Sequence, residues 1–174
     1  YQTVFASEDG SIAAPTAGLH FTKKLLDDFT ISKDFITLHV GLGTFLPVKS
    51  KNIDDHDMHE ESYFVNSKTL KKIQNVKRNG NRILSIGTTS LRAIESLAID
   101  TNQVNKWSKT NLFITEGFDF KFTDCLLTNF HLPKSTLLIL ISSFLGYELT
   151  MKCYKIALKE KFRFYSYGDA MLIL

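Results

Sequence analysis

The stretch Arg82-Ile83-Leu84-Ser85-Ile86-Gly87-Thr88-Thr89-Ser90-Leu91-Arg92-Ala93-Ile94-Glu95-Ser96-Leu97-Ala98-Ile99 sets the fold class. Arg82 to Gly87 is a short, largely apolar run that reads as a strand. Thr88-Thr89-Ser90 is a hydroxyl-rich turn, and from Leu91 to Ile99 the residues Leu91, Ile94, Leu97 and Ala98 share one helical face. A strand that hands over to an amphipathic helix through so short a turn is the repeating unit of an α/β fold. The same alternation continues on both sides. Upstream, Tyr1 to Ala6 reads as a strand, Leu19 to Phe29 as an amphipathic helix, and Phe35 to Val40 as a buried strand. A helix capped by Asn66 or Ser67 runs through Lys77 and stops at Gly80. Downstream, Asn111 to Thr115 and Cys125 to Thr128 read as strands. Leu137 to Leu149 and Met151 to Lys161 read as closing helices, the first apolar nearly all round and therefore buried. The expectation is one α/β unit over residues 1–174, a mixed sheet with flanking helices, without internal repeat or linker.

Composition bounds the function. The 174 residues are 44% hydrophobic, 12% aromatic and 22% charged, which excludes a disordered or fibrous chain. A net charge of +3 permits a polyanionic partner without requiring one. Cys125 and Cys153 have no CxxC spacing, so a reducing compartment and two buried thiols are expected, not a disulfide scaffold. Leu137 to Leu145 is too short to span a bilayer and no signal peptide precedes the fold, so a cytoplasmic protein with no membrane partner is expected. The chain opens on Tyr1, not Met, and reads as cut from something longer.

Several segments bear polar chemistry. Thr88-Thr89-Ser90 lies where a strand meets a helix N-terminus, so it either binds a carboxylate or phosphate or supplies an N-cap through Thr89 or Ser90. Gly41-Leu42-Gly43-Thr44 ends a strand, where glycines permit positive φ or close approach by a ligand. Thr128-Asn129-Phe130-His131-Leu132-Pro133-Lys134-Ser135-Thr136 crowds an amide, an imidazole, an ammonium and hydroxyls into one loop. This is either a site or a loop in which His131 meets a carbonyl and Ser135 caps a helix. His20 and His39 are flanked by apolar residues, as core histidines are, although the glycine-bounded strand end raises His39. The run from Asp54 to Glu61 contains metal-ligand types, but His56 and His59 lack the spacing of HExxH and a solvated acidic loop fits better. Asp169, next to Gly168 and ahead of the apolar Met171-Leu172-Ile173-Leu174, needs a helix N-terminus or a partner.

Longer motifs carry a resemblance. Ala13 to Phe21, Thr37 to Phe45 with Pro47-Val48, Met58-His59 with Glu61, Gly87 to Ser90 with Arg92, Leu127 to Leu138, and Tyr167 to Ile173 run in order through the chain. Together they resemble the S-adenosylmethionine:tRNA ribosyltransferase-isomerase family of queuosine biosynthesis, in its C-terminal part. The resemblance implies the larger α/β domain of that family, without its N-terminal half and small β-barrel domain. It implies transfer of the ribosyl part of S-adenosylmethionine to the 7-aminomethyl-7-deazaguanine base at the tRNA wobble position and isomerisation to epoxyqueuosine, with release of adenine and methionine. S-adenosylmethionine is then a co-substrate, no metal or other cofactor is implied, and the partners are tRNA in its anticodon region and a separately encoded N-terminal half. Within that reading His39 or His131 transfers protons, and Asp169 contacts the sulfonium or an amine. Thr88, Thr89 and Ser90 hold the methionine carboxylate or a phosphate, and Arg92 and Lys134 face tRNA phosphate. His20, Asn129, Ser135, Thr136 and Tyr167 complete the substrate contacts. Departures from the family pattern fall at Thr115-Glu116-Gly117, Asp124-Cys125 and Trp107-Ser108-Lys109. Two competing expectations are a remnant that binds tRNA without catalysis and a metal-dependent hydrolase using His56, His59, Glu60 and Glu61.

Overall fold

The structure is a computed structural model that describes residues 1–41, 44, 48 and 52–174. In chain order it runs through α1 (Lys23–Asp28), β1 (Thr37–His39), β2 (Glu61–Phe64), α2 (Ser67–Arg78), β3 (Leu84–Ile86) and α3 (Gly87–Ile99). It continues with β4 (Ser108–Thr110), β5 (Cys125–Asn129), α4 (Thr136–Leu145), α5 (Tyr147–Lys159) and β6 (Ala170–Ile173). The strands form two sheets. In one, β2 lies between β1 and β4, all antiparallel; in the other, β5 lies between a parallel β3 and an antiparallel β6. The fold is therefore mixed α/β.

Helix α3 joins the two sheets, touching β1 of the first and β3 and β5 of the second. Its residues divide accordingly. Leu91 packs with Ile114, Leu126, Leu140, Ile141 and Ile173, while Ala93 and Leu97 pack with Leu38, Val40, Tyr63, Val65 and Leu70. A helix with partners on both sides buries polar residues too, and each needs a partner of its own. The buried carboxylate of Glu95 accepts the backbone N–H groups of Lys121, Phe122 and Thr123 at 2.9, 3.0 and 2.7 Å, which fixes the approach to β5. A third cluster of Phe130, Tyr154 and Ala157 seats α5 against the end of β5.

Several elements differ from the sequence expectation. Residues 1–6 are a turn closed by the Ala6 N–H on the Thr3 carbonyl, not a strand, and Val4 is exposed. The expected helix from Leu19 is a 3-10 turn over Thr16–His20 followed by the short α1, because Thr22 caps a new helix at Leu25. Strand β4 lies at Ser108–Thr110, ahead of the apolar Asn111 to Thr115. Its inward hydroxyls are satisfied by one another's neighbours, Thr110 by Ser96 and Ser108 by Gln103, so polar residues fill an inward face. Helix α4 ends at Leu145 because Gly146 takes φ +89°, and α5 leaves it at 115°. Among the described residues no single helix is long and apolar enough to cross a membrane. Cys125 is buried as expected, but Cys153 is only half-buried. The Leu42-Gly43 turn and the Phe45 and Pro47 positions lie outside the described residues.

Candidate functional site

A cleft of about 110 Å³ opens where the end of β5 meets the first turn of α3. Gly87, Thr88 and Thr89 form one wall; Thr128, Asn129, His131 and Leu132 form another; Val40, Thr44 and Ser135 close it with Ala14, Thr16, Ala17, Tyr165 and Ser166. The local sequence explains the α3 wall. Gly87 takes φ +89°, a conformation open to glycine, and this places the hydroxyl residues in the first helical turn and not ahead of it. Neither Thr89 nor Ser90 is the N-cap. That position is Ile86, which has no acceptor, so the turn faces the cleft without a side-chain cap, whereas Asn66 caps α2 and Ser135 caps α4. Such a turn favours an anion.

The opposite wall carries the imidazole. His131 Nε2 lies 3.0 Å from Thr128 Oγ1, and the His131 backbone N–H donates to the Tyr154 hydroxyl at 3.0 Å. Burial pushes the His131 pKa down to about 4, so the ring is neutral at pH 7. Burial likewise pushes Tyr154 up to about 12. Asn129 is buried, and its Nδ2 donates to the Tyr165 carbonyl at 2.9 Å, which ties β5 to the C-terminal turn. Ser135 Oγ accepts the Leu138 N–H at 3.1 Å and donates to the Leu132 carbonyl at 2.8 Å, so it caps α4 while lining the cleft.

The cleft thus unites Thr88, Thr89, Asn129, His131 and Ser135, and leaves other expected residues elsewhere. Ser90 is half-buried in the same turn but does not line the cleft, and Thr136 is buried in the first turn of α4. Arg92, expected to face tRNA phosphate, is instead buried: its guanidinium pairs with Glu61 and donates from Nε to the Leu112 carbonyl at 3.1 Å. Lys134 is exposed, with φ +60°. The His39 ring packs against Trp107 at a tilt of 43°, with ring centroids 4.6 Å apart, while its neighbour Val40 lines the cleft; successive residues of an extended chain face opposite sides. His20 is exposed, not a core histidine. Tyr167 is 75% exposed beside the Tyr1 ring. Asp169 finds the partner its sequence context demanded in Arg163, whose Nη2 lies 2.8 Å from Oδ1 and whose backbone N–H lies 2.7 Å from Oδ2. These hydrogen bonds hold its carboxyl below the usual range, with a smaller electrostatic contribution from His20.

The acidic run is divided by the strand that begins in it. Glu60 points out to Lys109 and Glu61 points in to Arg92, while the His56 ring packs on Phe113. Among the described residues no group of three or more His, Cys, Asp or Glu is arranged to hold a metal ion. The Glu61–Arg92 pair was not singled out from sequence as an organising feature. Its signal was an acid at an inward position of an alternating strand, which requires a buried cation.

A strand-end cleft with a helix N-terminus in one wall is a feature of the class of α/β proteins that bind small anionic ligands there. Comparison narrows the class. A model of the queuosine biosynthesis protein family matches residues 1–173, and the chain belongs to that family. It is 51% identical over 178 residues to the S-adenosylmethionine:tRNA ribosyltransferase-isomerase of Caldanaerobacter subterraneus subsp. tengcongensis, covering 100% of this chain and 52% of that protein. It is 52% identical over 177 residues to the enzyme of the same name from Rhizobium etli, covering 99% and 49%. The crystal structure of S-adenosylmethionine tRNA ribosyltransferase from Thermotoga maritima superposes with a TM-score of 0.71 at 38% identity, over 91% of this chain and 51% of that one. The chain spans about half the length of the curated relatives it matches.

Proposed function

We propose that this chain serves S-adenosylmethionine-dependent tRNA modification in queuosine biosynthesis, and that the cleft receives the methionine end of S-adenosylmethionine. The reaction is transfer and isomerisation of the ribosyl moiety onto the 7-aminomethyl-7-deazaguanine base at the wobble position, giving epoxyqueuosine, adenine and methionine. The observation that carries the reading is the meeting in one cleft of Thr88, Thr89, Asn129, His131 and Ser135, which come from separate motifs of the resemblance. A volume of about 110 Å³ is a fraction of the roughly 300–1,000 Å³ that encloses a ligand of this size, which favours the amino-acid end over the whole molecule.

Roles follow from the side chains. The first turn of α3, with Thr88 and Thr89, holds the methionine carboxylate. His131, kept neutral by burial, enters as a hydrogen-bond partner and as a weaker proton acceptor than a free imidazole. Lys134, exposed at the edge of this loop, meets tRNA phosphate. Arg92 is assigned no phosphate contact because it is buried against Glu61, and His39 no role in this cleft. Asp169 already carries Arg163 and would hold the sulfonium or an amine only in exchange for that pair.

The test is nucleoside mass analysis of tRNA bearing the aminomethyl-deazaguanine base after incubation with the protein and S-adenosylmethionine. Epoxyqueuosine is the expected product. The alternative is binding without catalysis. Folded protein that binds both substrates and yields no product would establish that alternative.

A further inference from the structure

Glu61 connects the buried interior to the cleft. Its Oε2 takes the Arg92 guanidinium, while Oε1 accepts both the Gly41 N–H at 2.9 Å and the Thr44 hydroxyl at 2.6 Å. Glu61, Arg92 and Thr44 are all buried, and Thr44 lines the cleft together with the first turn of α3. One carboxylate therefore gathers β2, α3 and the chain just after β1. Arg92 is anchored in turn by the Leu112 carbonyl. Buried ion pairs contribute little net stability, because desolvation offsets most of the attraction, and their best-attested use is to fix one arrangement.

We infer that Glu61, braced by Arg92, is the positioning residue of the cleft: through the Gly41 N–H and the Thr44 hydroxyl it holds in place the chain that brings Thr44 into the same cleft as Thr88 and Thr89. Its consequence for S-adenosylmethionine rests on the function proposed above, but the tether itself does not. With both acceptor positions of Oε1 taken by Gly41 and Thr44, removing the Thr44 hydroxyl loosens this segment while the Arg92 pair stays buried and intact.

The experiment uses Thr44→Val, which is close in size and lacks the hydroxyl, and Thr44→Ser, which restores it; Glu61→Gln serves as a second variant. Amide hydrogen exchange followed by NMR should show the Gly41 amide exchanging at least about tenfold faster in Thr44→Val, with α2 and β5 unchanged. Thr44→Ser should return to within about twofold of the unmodified protein. S-adenosylmethionine affinity, read by calorimetry, should weaken about tenfold in Thr44→Val and recover in Thr44→Ser. Unchanged Gly41 exchange in both Thr44→Val and Glu61→Gln overturns the tether, and faster exchange with unaltered affinity overturns its positioning role. Unmodified protein that binds no S-adenosylmethionine contradicts the proposed function instead, and the Gly41 exchange still decides the tether.

Discussion

His131 and Thr128 face each other across 3.0 Å, Nε2 to Oγ1, at the end of β5 where the strand opens into the cleft. The hydroxyl satisfies one ring nitrogen without supplying charge, and burial does the rest, so the imidazole stays neutral down to about pH 4.

This fixes the sign of an acid effect on stability. The unfolded chain takes up the His131 proton near pH 6.5 and the folded chain only near pH 4, so between these values the unfolded state holds more protons. Stability is therefore unaffected by this group above pH 6.5 and falls as pH drops toward 4, by at most about 3 kcal/mol. Urea midpoints measured across that window should decline in the unmodified protein and decline less in His131→Gln.

Gly168 makes the C-terminal turn possible. A Cβ there would lie 2.4 Å from the Arg163 carbonyl oxygen and 2.5 Å from the Phe164 carbonyl carbon, and backbone cannot yield as a side chain can. Gly168→Ala should destabilise by more than about 2 kcal/mol in urea unfolding. The same change displaces Tyr165, whose carbonyl receives Asn129, so it should also disturb the amide signals of Asn129 and His131.

Arg92→Met removes one partner of a buried pair and leaves the Glu61 carboxylate with an uncompensated charge. A loss of about 3–5 kcal/mol is expected, read as a lower urea midpoint. Lys72→Met breaks an exposed pair with Asp34 and should cost less than about 1 kcal/mol. Equal losses in the two variants would contradict the burial argument.

Ser135→Ala removes the α4 cap, for a cost of about 1 kcal/mol in thermal or urea unfolding. Because the Ser135 hydroxyl is already committed to Leu132 and Leu138, a much larger effect on substrate affinity than on stability would show that it contacts substrate directly.

The sequence made the strand-to-helix unit at β3 and α3 legible because its signals are local: an apolar run, a glycine and helical spacing. Asn66 and Ser135 were legible as caps for the same reason. What escaped depended on partners distant in sequence. Nothing near Arg92 announces Glu61, thirty-one residues away, so a cation beside a polar turn reads as surface. The position of β4 escaped because Ser108 and Thr110 find partners in Gln103 and Ser96, and hydrogen-bond satisfaction is invisible to hydropathy. His39 reads from sequence as a site residue at a strand end, and only the chain's direction after β1 shows that its ring packs on Trp107 while the next residue, Val40, lines the cleft.

The most direct test of the central claim, that the methionine end of S-adenosylmethionine sits between α3 and the β5 loop, is NMR titration of the protein with S-adenosylmethionine. The account predicts saturable shifts confined first to Gly87 through Ser90, Asn129 through His131 and Ser135, reproduced in part by methionine alone and weakened in Thr89→Val. Absence of binding, or shifts centred on α2 or α5 with these residues unmoved, would contradict it.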